Sequence, residues 1–347
     1  MNISELHAIA VKMTAKGKGI LAADESTSTI KKRFDKIGVE NTEANRRDYR
    51  ELLFRSAEGM KHVSGVILFD ETIRQKAADG NGTPLVKLIE QAGSIPGIKV
   101  DEGTQGLPNC PGELVTVGLD KLAERLKKYY ERGARFAKWR AVIDIGQGTG
   151  GHRIPSMTAI SVNAHALARY AALCQAAQIV PIVEPEVLMD GDHDIDRCYE
   201  VTQRVLNKTF QELRVQRVAL EGMILKPNMA VPGKKSARQA SVQEVAEKTI
   251  RVLKSCVPAA VPGIAFLSGG QSDEEATAHL NAMNATGNLP WRLTFSYGRA
   301  LQAAPQKAWS GKSENVAAGQ RAFTHRAHMN ALASAGRWTA DLEKKAT

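Results

Sequence analysis

The sequence predicts an α/β protein that folds as a closed (β/α)8 barrel in a single domain. Eight short apolar segments recur along its 347 residues, and most of them are bounded by Gly or Pro. Such runs are typical of strands that are buried on both faces of a parallel sheet. Longer segments with helical spacing separate them, at about 30 to 45 residues per repeat, which is the size of a βα unit. Eight units of this kind predict a closed barrel.

Most of the predicted strands end abruptly in charged or hydroxyl residues. In a (β/α)8 barrel the active site lies at the carboxyl ends of the strands. The polar residues that close each apolar run are therefore the candidate catalytic and binding residues. In chain order, the eight segments span residues 19–26, 65–70, 97–101, 136–140, 180–186, 222–227, 263–270 and 293–299.

Helices are predicted between the strands wherever apolar residues recur at helical spacing. Capping-box patterns open two of them, Ser241-x-x-Glu244 and Ser272-x-x-Glu275. An N-terminal helix precedes the barrel, and a C-terminal helix and flexible tail follow from about residue 311. We therefore expect one domain over residues 1–347 with a barrel core of about 15–310. The clearest helical segments span residues 42–60, 119–132, 164–177, 196–213 and 241–256.

Composition limits the classes of function. The net charge of +10 is dispersed, and the densest basic loop, residues 233–238, has no interleaved aromatics. This favours small phosphorylated substrates over nucleic acid as the partner. Widely separated cysteines without a Cys-x-x-Cys pair indicate reduced thiols in a cytoplasmic protein. With no secretory h-region and no apolar run near 18 residues, we expect no membrane association.

Two lysines and an arginine lie at strand ends of the predicted barrel. Lys226 closes the sixth apolar run and precedes a proline, whereas Lys138 lies inside the fourth, two residues before Arg140. Each lysine could simply form a salt bridge at the barrel rim, since buried lysines are normally paired. Desolvation and cationic neighbours, however, depress the pKa of a lysine and leave a neutral amine that attacks carbonyls. One lysine would then be a Schiff-base nucleophile and the other would tune it electrostatically.

Carboxylates close several of the same strands. Asp24 ends the first strand, and Glu184 and Glu186 end the fifth. Together with the lysines they could supply the proton transfers that carbinolamine dehydration and C–C cleavage require. We expect Asp70 and Asp101, on the second and third strands, to have structural roles.

Phosphate binding is predicted at the last two strands. Ser268-Gly269-Gly270 precedes a capped helix and offers free backbone N–H groups at the positive end of a helix dipole. Gly298-Arg299 adds backbone access and a guanidinium suited to bidentate phosphate contact. Barrels of this kind often bind phosphate after strands seven and eight. The alternative is a pair of tight turns without a ligand.

Three further patterns are not expected to carry function. The Gly-x-Gly-x-x-Gly pattern of residues 146–151 follows a strand, but Pro155 breaks the helix that a dinucleotide site must open, which indicates a flexible loop. Residues 191–194, and the pair His325 and His328, carry side chains that could ligate a metal ion. The first place resembles an exposed turn and the second resembles a helix face. We expect no metal at either place.

Seven multi-residue motifs occur in one order between about residue 5 and residue 335. In these motifs the chain closely resembles the class I fructose-1,6-bisphosphate aldolases, a family of TIM barrels. The motifs are Gly19-Ile-Leu-Ala-Ala-Asp-Glu-Ser-Thr27, Glu40-Asn-Thr-Glu-Ala-Asn-Arg-Arg47, Phe136-Ala-Lys-Trp-Arg140, Val180-Pro-Ile-Val-Glu-Pro-Glu186, Leu225-Lys-Pro-Asn-Met229, Phe266-Leu-Ser-Gly-Gly-Gln-Ser272 and Phe295-Ser-Tyr-Gly-Arg-Ala-Leu-Gln302.

The resemblance assigns roles to individual residues. It implies that Lys226 is the Schiff-base nucleophile and that Glu184, assisted by Glu186, is the acid/base, with Asp24 and Lys138 also catalytic. Whether Asp24 or Glu184 takes each proton stays open. The implied substrate- and phosphate-binding residues are Ser26, Thr29, Arg33, Lys99, Arg140, Ser268, Gly269, Gly270, Ser296, Gly298 and Arg299.

The implied activity is reversible aldol cleavage of fructose 1,6-bisphosphate to dihydroxyacetone phosphate and glyceraldehyde 3-phosphate in glycolysis and gluconeogenesis. The family uses no metal and no cofactor, is cytoplasmic, and is usually a homotetramer. Two alternatives stay open, a non-catalytic sugar-phosphate-binding or scaffolding protein on the same fold and a nicotinamide-dependent reductase.

The chain also departs from the family pattern. Its last tyrosine is Tyr297, whereas family members commonly carry a tyrosine on the C-terminal tail. Glu102 stands where a lysine is usual, and the loop of residues 146–155 is longer than usual.

Overall fold

The protein folds as the predicted (β/α)8 barrel. The structure is a computed structural model that describes residues 1–148 and 151–344. Two residues of the loop at 146–155 and the last three residues of the predicted tail lie outside the described residues. Eight parallel strands of the described chain close in the order β1-β8-β7-β6-β5-β4-β3-β2. They are β1 (Gly19–Ala23), β2 (Val63–Leu68), β3 (Ile95–Lys99), β4 (Phe136–Ile143), β5 (Val180–Val187), β6 (Ile224–Leu225), β7 (Gly263–Phe266) and β8 (Arg292–Tyr297).

Helices surround the barrel and fill most connections between strands. The predicted helix at 42–60 is divided in two, because Ser56 leaves the helical conformation and its hydroxyl donates to the Gln320 carbonyl. The predicted helix at 164–177 begins earlier, at Met157. The α-helices are Ile3–Met13, Thr27–Phe34, Glu43–Phe54, Ala57–Met60, Leu85–Gln91, Leu122–Glu131, Met157–Ala176, Ile195–Val215, Val242–Cys256, Asp273–Ala285, Arg299–Trp309, Val316–Ser334 and Ala340–Glu343.

Alternation along the strands separates a polar mouth from an apolar floor. Successive side chains of a strand point to opposite faces, so Phe136, Lys138 and Arg140 of β4 share the barrel interior. The same period places Ile182 and Glu184 of β5 inside. Phe136 and Ile182 belong to one buried apolar cluster. The barrel is therefore hydrophobic at its amino end and charged at its carboxyl end.

The N-terminal helix Ile3–Met13 closes the floor of the barrel. Its residues Leu6, Ala10 and Met13 are fully buried in the same cluster as the interior side chains. Burying a large apolar side chain contributes about 1.5 to 3 kcal/mol, so this helix is an integral part of the fold. With the floor closed, the carboxyl ends of the strands form the open side of the barrel.

The two predicted capping boxes differ in detail. At Asp273–Ala285 both halves form, since the Ser272 hydroxyl accepts from the Glu275 N–H and the Glu275 carboxylate accepts from the Ser272 N–H. At Val242–Cys256 the Ser241 hydroxyl accepts from the Glu244 N–H, but the Glu244 carboxylate pairs with Arg238 at 2.9 Å. Of the two, only the helix Asp273–Ala285 begins with the reciprocal box.

The glycine-rich pattern after β4 opens no helix. Short segments Gly146–Gln147 and Arg153–Ile154 pair in antiparallel fashion. The next helix starts after Ser156, whose hydroxyl caps it by accepting from the Ala159 N–H. This agrees with the sequence-based interpretation of the pattern as a loop. No helix within residues 1–148 and 151–344 is both long and apolar enough to cross a membrane.

Candidate active site

A cavity of about 990 Å³ opens at the carboxyl ends of the barrel strands. Its wall combines cationic, anionic and hydroxyl side chains, as the polar strand ends predicted. Of the predicted site residues, those that line the cavity are Asp24, Ser26, Thr29, Arg33, Lys99, Lys138, Arg140 and Gly298.

A chain of alternating charges runs from the cavity wall into the barrel. The Lys138 ammonium lies 2.7 Å from Asp24 Oδ2 and 3.4 Å from Glu184 Oε2. The other oxygen of Glu184, Oε1, lies 3.2 Å from the Nζ of Lys226. The side chains of Lys138, Glu184 and Lys226 are all at least nine-tenths buried. Both lysines therefore have a carboxylate partner, and they share one between them.

The electrostatics of this chain fix the charges of Lys138 and Asp24. Burial alone would lower the pKa of Lys138, but the carboxylates of Asp24 and Glu184 outweigh it and raise that pKa well above its usual value. Burial would likewise raise the pKa of Asp24, but the ammonium groups of Lys138 and Lys226 lower it to about 2. Lys138 is thus a permanent cation and Asp24 a permanent anion near neutral pH, and Lys138 does not fit the role of a neutral amine.

The backbone around Lys226 fixes this side chain beside Glu184. Its N–H donates to the Val183 carbonyl of β5 at 2.8 Å. Two residues later, the Asn228 side chain accepts from the Val187 N–H and donates to the Thr202 hydroxyl. These bonds tie the end of β6 to β5, so the Lys226 amine is held against Glu184 by main-chain geometry.

Two further ion pairs belong to the mouth of the barrel. The guanidinium of Arg140 is paired with Glu186, the second predicted carboxylate of β5. Burial would lower the pKa of Arg140, but Glu186 raises it above its usual value. The Lys99 ammonium lies 2.7 Å from Asp101, whose other carboxylate oxygen has no hydrogen-bond partner among the described residues. Glu186 therefore positions Arg140, which lines the cavity, and Asp101 neutralises Lys99.

At the end of β1 the predicted phosphate residues come together on one helix. Ser26 caps the helix Thr27–Phe34, and its hydroxyl lies 3.0 Å from that of Thr29. From the last turn of this helix, Arg33 reaches back to Glu25 at 2.5 Å. Gln302 also donates to Glu25, at 2.7 Å. Arg33 is thereby held at the cavity by a buried carboxylate.

The predicted phosphate turns after β7 and β8 are neighbours. Gly269 and Gly270 both adopt positive φ, 39° and 82°, in the turn before the capped helix. The Arg299 guanidinium donates to the Gln271 carbonyl and so joins the two turns. Only Gly298 of this group lines the cavity itself. The buried hydroxyl of Ser296 has no hydrogen-bond partner among the described residues.

Several cavity residues were missed by sequence reasoning. Asp70, predicted to be structural, accepts from the Tyr129 hydroxyl at 2.7 Å and pairs with Arg74 at 2.6 Å, and all three line the cavity. Tyr129 could not be found, because it comes from a helix rather than a strand end. Asp190 was recoverable, since it follows the fifth strand and its polar run closely. Glu25, between two selected residues, was recoverable on the same ground.

The candidate metal position at residues 191–194 is not an exposed turn throughout, because His193 is 8% exposed and neither of its ring nitrogens has a hydrogen-bond partner among the described residues. The histidines of the other candidate position have partners. His325 pairs with Glu343 at 2.8 Å, and His328 stacks on His62 with 5.0 Å between ring centroids. Among the described residues, no three His, Cys, Asp or Glu side chains form a group that could hold a metal ion.

Comparison with known proteins gives one consistent family. The family model for class-I fructose-bisphosphate aldolase matches residues 5–347. A probable fructose-bisphosphate aldolase class 1 of Xanthomonas campestris is 58% identical over 339 residues, which are 97% of this chain and 99% of the relative. The cytosolic fructose-bisphosphate aldolase 4 of Arabidopsis thaliana is 53% identical over 340 residues, 98% of this chain and 85% of the relative.

The structural comparison agrees with these relatives. The fructose-bisphosphate aldolase of Plasmodium falciparum, solved in complex with TRAP and a small-molecule inhibitor, superposes with a TM-score of 0.94. It is 50% identical in sequence, and the match covers 97% of this chain and 96% of that one. Fold and sequence therefore point to the same family.

Proposed function

Since the chain belongs to the class I fructose-bisphosphate aldolase family, we propose that it cleaves fructose 1,6-bisphosphate reversibly through an imine on Lys226. The products are dihydroxyacetone phosphate and glyceraldehyde 3-phosphate, which places the enzyme in glycolysis and gluconeogenesis. The observation that carries this mechanism is the position of Glu184. Its carboxylate lies between the ammonium groups of Lys226, at 3.2 Å, and Lys138, at 3.4 Å.

Glu184 supports the choice of nucleophile. An amine must lose a proton before it attacks a carbonyl, and Glu184 is the carboxylate in contact with Lys226. Lys138 is held as a cation by Asp24 and Glu184, so it stabilises negative charge instead of attacking. In this proposal Lys226 is the nucleophile and Lys138 is a fixed positive charge.

The proposed reaction balances with these side chains alone. The Lys226 amine gives a proton to Glu184 and adds to the ketone carbon, and the carbinolamine loses water after Glu184, then in its acid form, protonates its hydroxyl. A carboxylate removes the proton of the C4 hydroxyl, the C3–C4 bond breaks, and its electron pair moves to the protonated imine. Glyceraldehyde 3-phosphate leaves, and the enamine is protonated at C3 and hydrolysed to dihydroxyacetone phosphate. The protonated imine takes the electrons, so the proposal includes no metal and no cofactor.

Two groups of residues would hold the two phosphates. Ser26, Thr29 and Arg33 form one group after β1, with Lys99 nearby on the wall. Ser268, Gly269, Gly270, Ser296, Gly298 and Arg299 form the other group, after β7 and β8. Backbone N–H groups with a guanidinium suit a dianionic phosphate. Arg140, held by Glu186, would bind the sugar between them.

We also propose a cytoplasmic homotetramer with one domain over residues 1–347 and a barrel core of about 15–310. A cytosolic plant relative supports the location. Exposed apolar side chains on the outer helices, such as Met157 and Val215, fit subunit contacts. No nucleic acid or membrane partner is proposed.

Borohydride trapping tests the proposal directly. Incubation with dihydroxyacetone phosphate and borohydride is expected to add one reduced three-carbon phosphate to the peptide that contains Lys226, with or without EDTA. Lys226→Met is expected to abolish labelling and cleavage while it still binds dihydroxyacetone phosphate. Labelling at another lysine, or cleavage that EDTA stops, would overturn the mechanism. Binding without labelling or turnover would favour the alternative of a non-catalytic sugar-phosphate-binding protein.

A further inference from the structure

We propose that Lys234 binds substrate phosphate at the turn after β7, as a cation supplied by the loop that follows β6. This inference rests on the proposed function, because it adds a residue to one of the two proposed phosphate sites. Lys234 lies in the basic loop of residues 233–238, which the reaction as described above does not use. Three observations carry the inference: the fixed backbone of Lys234, the position of its side chain and the charge balance of the turn.

The backbone of Lys234 is clamped against the loop after β5. The Lys234 N–H donates to the Met189 carbonyl at 2.7 Å, and the Gly233 N–H donates to the His193 carbonyl at 2.8 Å. The chains approach so closely that a Cβ at position 233 would lie 2.2 Å from the Gly191 carbonyl oxygen. Glycine at 233 therefore permits the clamp, and the clamp fixes where the Lys234 side chain begins.

The side chain of Lys234 lies directly against the glycine turn. A Cβ at Gly270 would lie 2.5 Å from Cε of Lys234 and 2.8 Å from its Nζ. The φ of Gly270 is 82°, so this position favours glycine on both conformational and steric grounds. The Lys234 ammonium is thereby brought within contact distance of the backbone that is proposed to bind phosphate.

The present partner of Lys234 is an exchangeable one. Its Nζ lies 2.7 Å from Asp190 Oδ1, and the two side chains are 48% and 60% exposed. Solvent-exposed ion pairs contribute little to stability, so the ammonium can turn to a phosphate without a large loss. Asp190 lines the cavity, so in the absence of phosphate it holds the ammonium at the edge of the site.

A second cation at the turn would balance the charge of a phosphate dianion. Arg299 is the cation already assigned there, and its guanidinium also donates to the Gln271 carbonyl. Backbone N–H groups of the turn supply hydrogen bonds and no formal charge. The Lys234 ammonium would supply the second positive charge, as a point charge on a flexible stem of the kind that commonly binds phosphate.

The test compares Lys234→Met with Lys234→Arg and with Lys235→Met. Lys235 is the adjacent exposed lysine, has no carboxylate within salt-bridge distance among the described residues, and serves as the matched control. For Lys234→Met we expect the KM for fructose 1,6-bisphosphate to rise about five- to tenfold, with kcat within about twofold. Lys234→Arg should restore most of the loss, and Lys235→Met should change KM by less than about twofold.

Binding of dihydroxyacetone phosphate gives a readout without turnover. Its phosphate is one carbon from the carbon that Lys226 attacks, and β6 neighbours β7, so it probes the turn after β7. In a Lys226→Met background, calorimetry should show that Lys234→Met raises the Kd about five- to tenfold. An unchanged Kd and KM would overturn the inference while borohydride labelling of Lys226 still upholds the proposed function. Failure to label Lys226 would overturn the proposed function and leave the Kd comparison valid.

Discussion

Asp24 and Lys138 form a buried ion pair, with 2.7 Å between the carboxylate Oδ2 and the ammonium Nζ. The side chain of Lys138 is 6% exposed and that of Asp24 is 12% exposed. The pair joins β1 to β4 across the mouth of the barrel, on strands that are not neighbours in the sheet. The proposed catalytic charge and the stability of the barrel therefore depend on the same two side chains.

The stability of the fold is expected to fall as the pH is lowered and Asp24 becomes protonated. The pKa of Asp24 is about 2 in the folded protein against an ordinary value of 3.8. A carboxyl with a lowered folded pKa stabilises the fold above its unfolded pKa, and this contribution is lost as the pH falls toward 2. One pKa unit corresponds to about 1.4 kcal/mol, so Asp24 accounts for about 2 kcal/mol. Urea unfolding between pH 5 and pH 2 should show a smaller pH slope for Asp24→Asn than for the wild type.

A surface carboxylate gives the control for this measurement. Asp35 pairs with Lys31 at 2.8 Å, but both side chains are more than half exposed. Exposed pairs are worth about 0 to 1 kcal/mol, so Asp35→Asn should keep the wild-type slope. A wild-type slope in Asp24→Asn would contradict the role of the buried pair.

Lys138 and Asp24 are expected to be strongly coupled in a double-mutant cycle. Lys138→Met should destabilise the barrel by about 3 to 5 kcal/mol, because it leaves buried carboxylates without their cation. Adding Asp24→Asn removes one of those charges, so the double variant should unfold at a higher urea concentration than Lys138→Met alone. Urea midpoints of the four proteins measure the coupling. Additive effects would show that the pair makes no net interaction.

Substitutions at Glu184 and Glu186 are expected to affect different steps. The first should slow imine formation, and the second should weaken sugar binding. Glu184→Gln should slow the borohydride-trapped labelling of Lys226 by about 10²- to 10⁴-fold, because the carboxylate beside that amine then no longer moves its proton. Glu186→Gln should slow labelling much less and raise the KM, since Glu186 positions Arg140. Quenched-flow trapping with mass spectrometry measures the labelling rate. Equal labelling rates in the two variants would contradict the assignment.

The barrel was predictable because two periods coincide in the sequence. Buried parallel strands give short continuous apolar runs, and the helices between them give a 3.6-residue pattern. The strand ends then give Asp24, Lys138, Glu184 and Lys226 as candidate site residues, because parallel strands bring their carboxyl ends to one edge. What could not be predicted is the pairing within that edge. That Glu184 lies between Lys138 and Lys226 depends on barrel stagger, which no local pattern encodes.

One helix residue and one loop residue escaped prediction for a related reason. Tyr129 reaches the cavity from a helix on the outer layer, and Lys234 reaches the turn after β7 through the contact between two loops. In sequence these are an ordinary helical tyrosine and one lysine of a basic loop. Their positions follow from tertiary packing, and for Lys234 the sequence shows only the glycines, Gly233 and Gly270, that permit the contact.

Arg33 is expected to need its planar guanidinium as well as its charge. Arg33→Lys keeps an ion pair with Glu25 but loses the planar fork that is proposed to bind phosphate in bidentate fashion, so the KM for fructose 1,6-bisphosphate should rise about fivefold with the fold intact. Arg33→Met should raise the KM further and also lower the urea midpoint, because Glu25 is buried. Lys31→Met, on the same helix and exposed, is the control. A normal KM in Arg33→Lys would remove Arg33 from the phosphate site.

The short helix Ala340–Glu343 in the predicted tail is expected to depend on Glu343. Its carboxylate accepts from Trp338 Nε1 at 2.9 Å and pairs with Arg326 at 2.5 Å and His325 at 2.8 Å. Burial would raise the pKa of Glu343, but Arg326 and His325 lower it. The carboxylate therefore stabilises docking at neutral pH, and this contribution is lost as the pH falls through the lowered pKa of Glu343.

Hydrogen exchange measures this docking directly. In Glu343→Ala the amides of residues 338–344 should exchange faster by about one to two orders of magnitude at pH 7, because loss of a buried charged hydrogen bond costs about 1.5 to 3 kcal/mol. Asp341→Ala is the matched control, since Asp341 lies on the same short helix and pairs only with exposed Lys344 among the described residues. It should keep wild-type exchange. Equally fast exchange in both variants and in the wild type would show that Glu343 does not hold this helix against the rest of the protein.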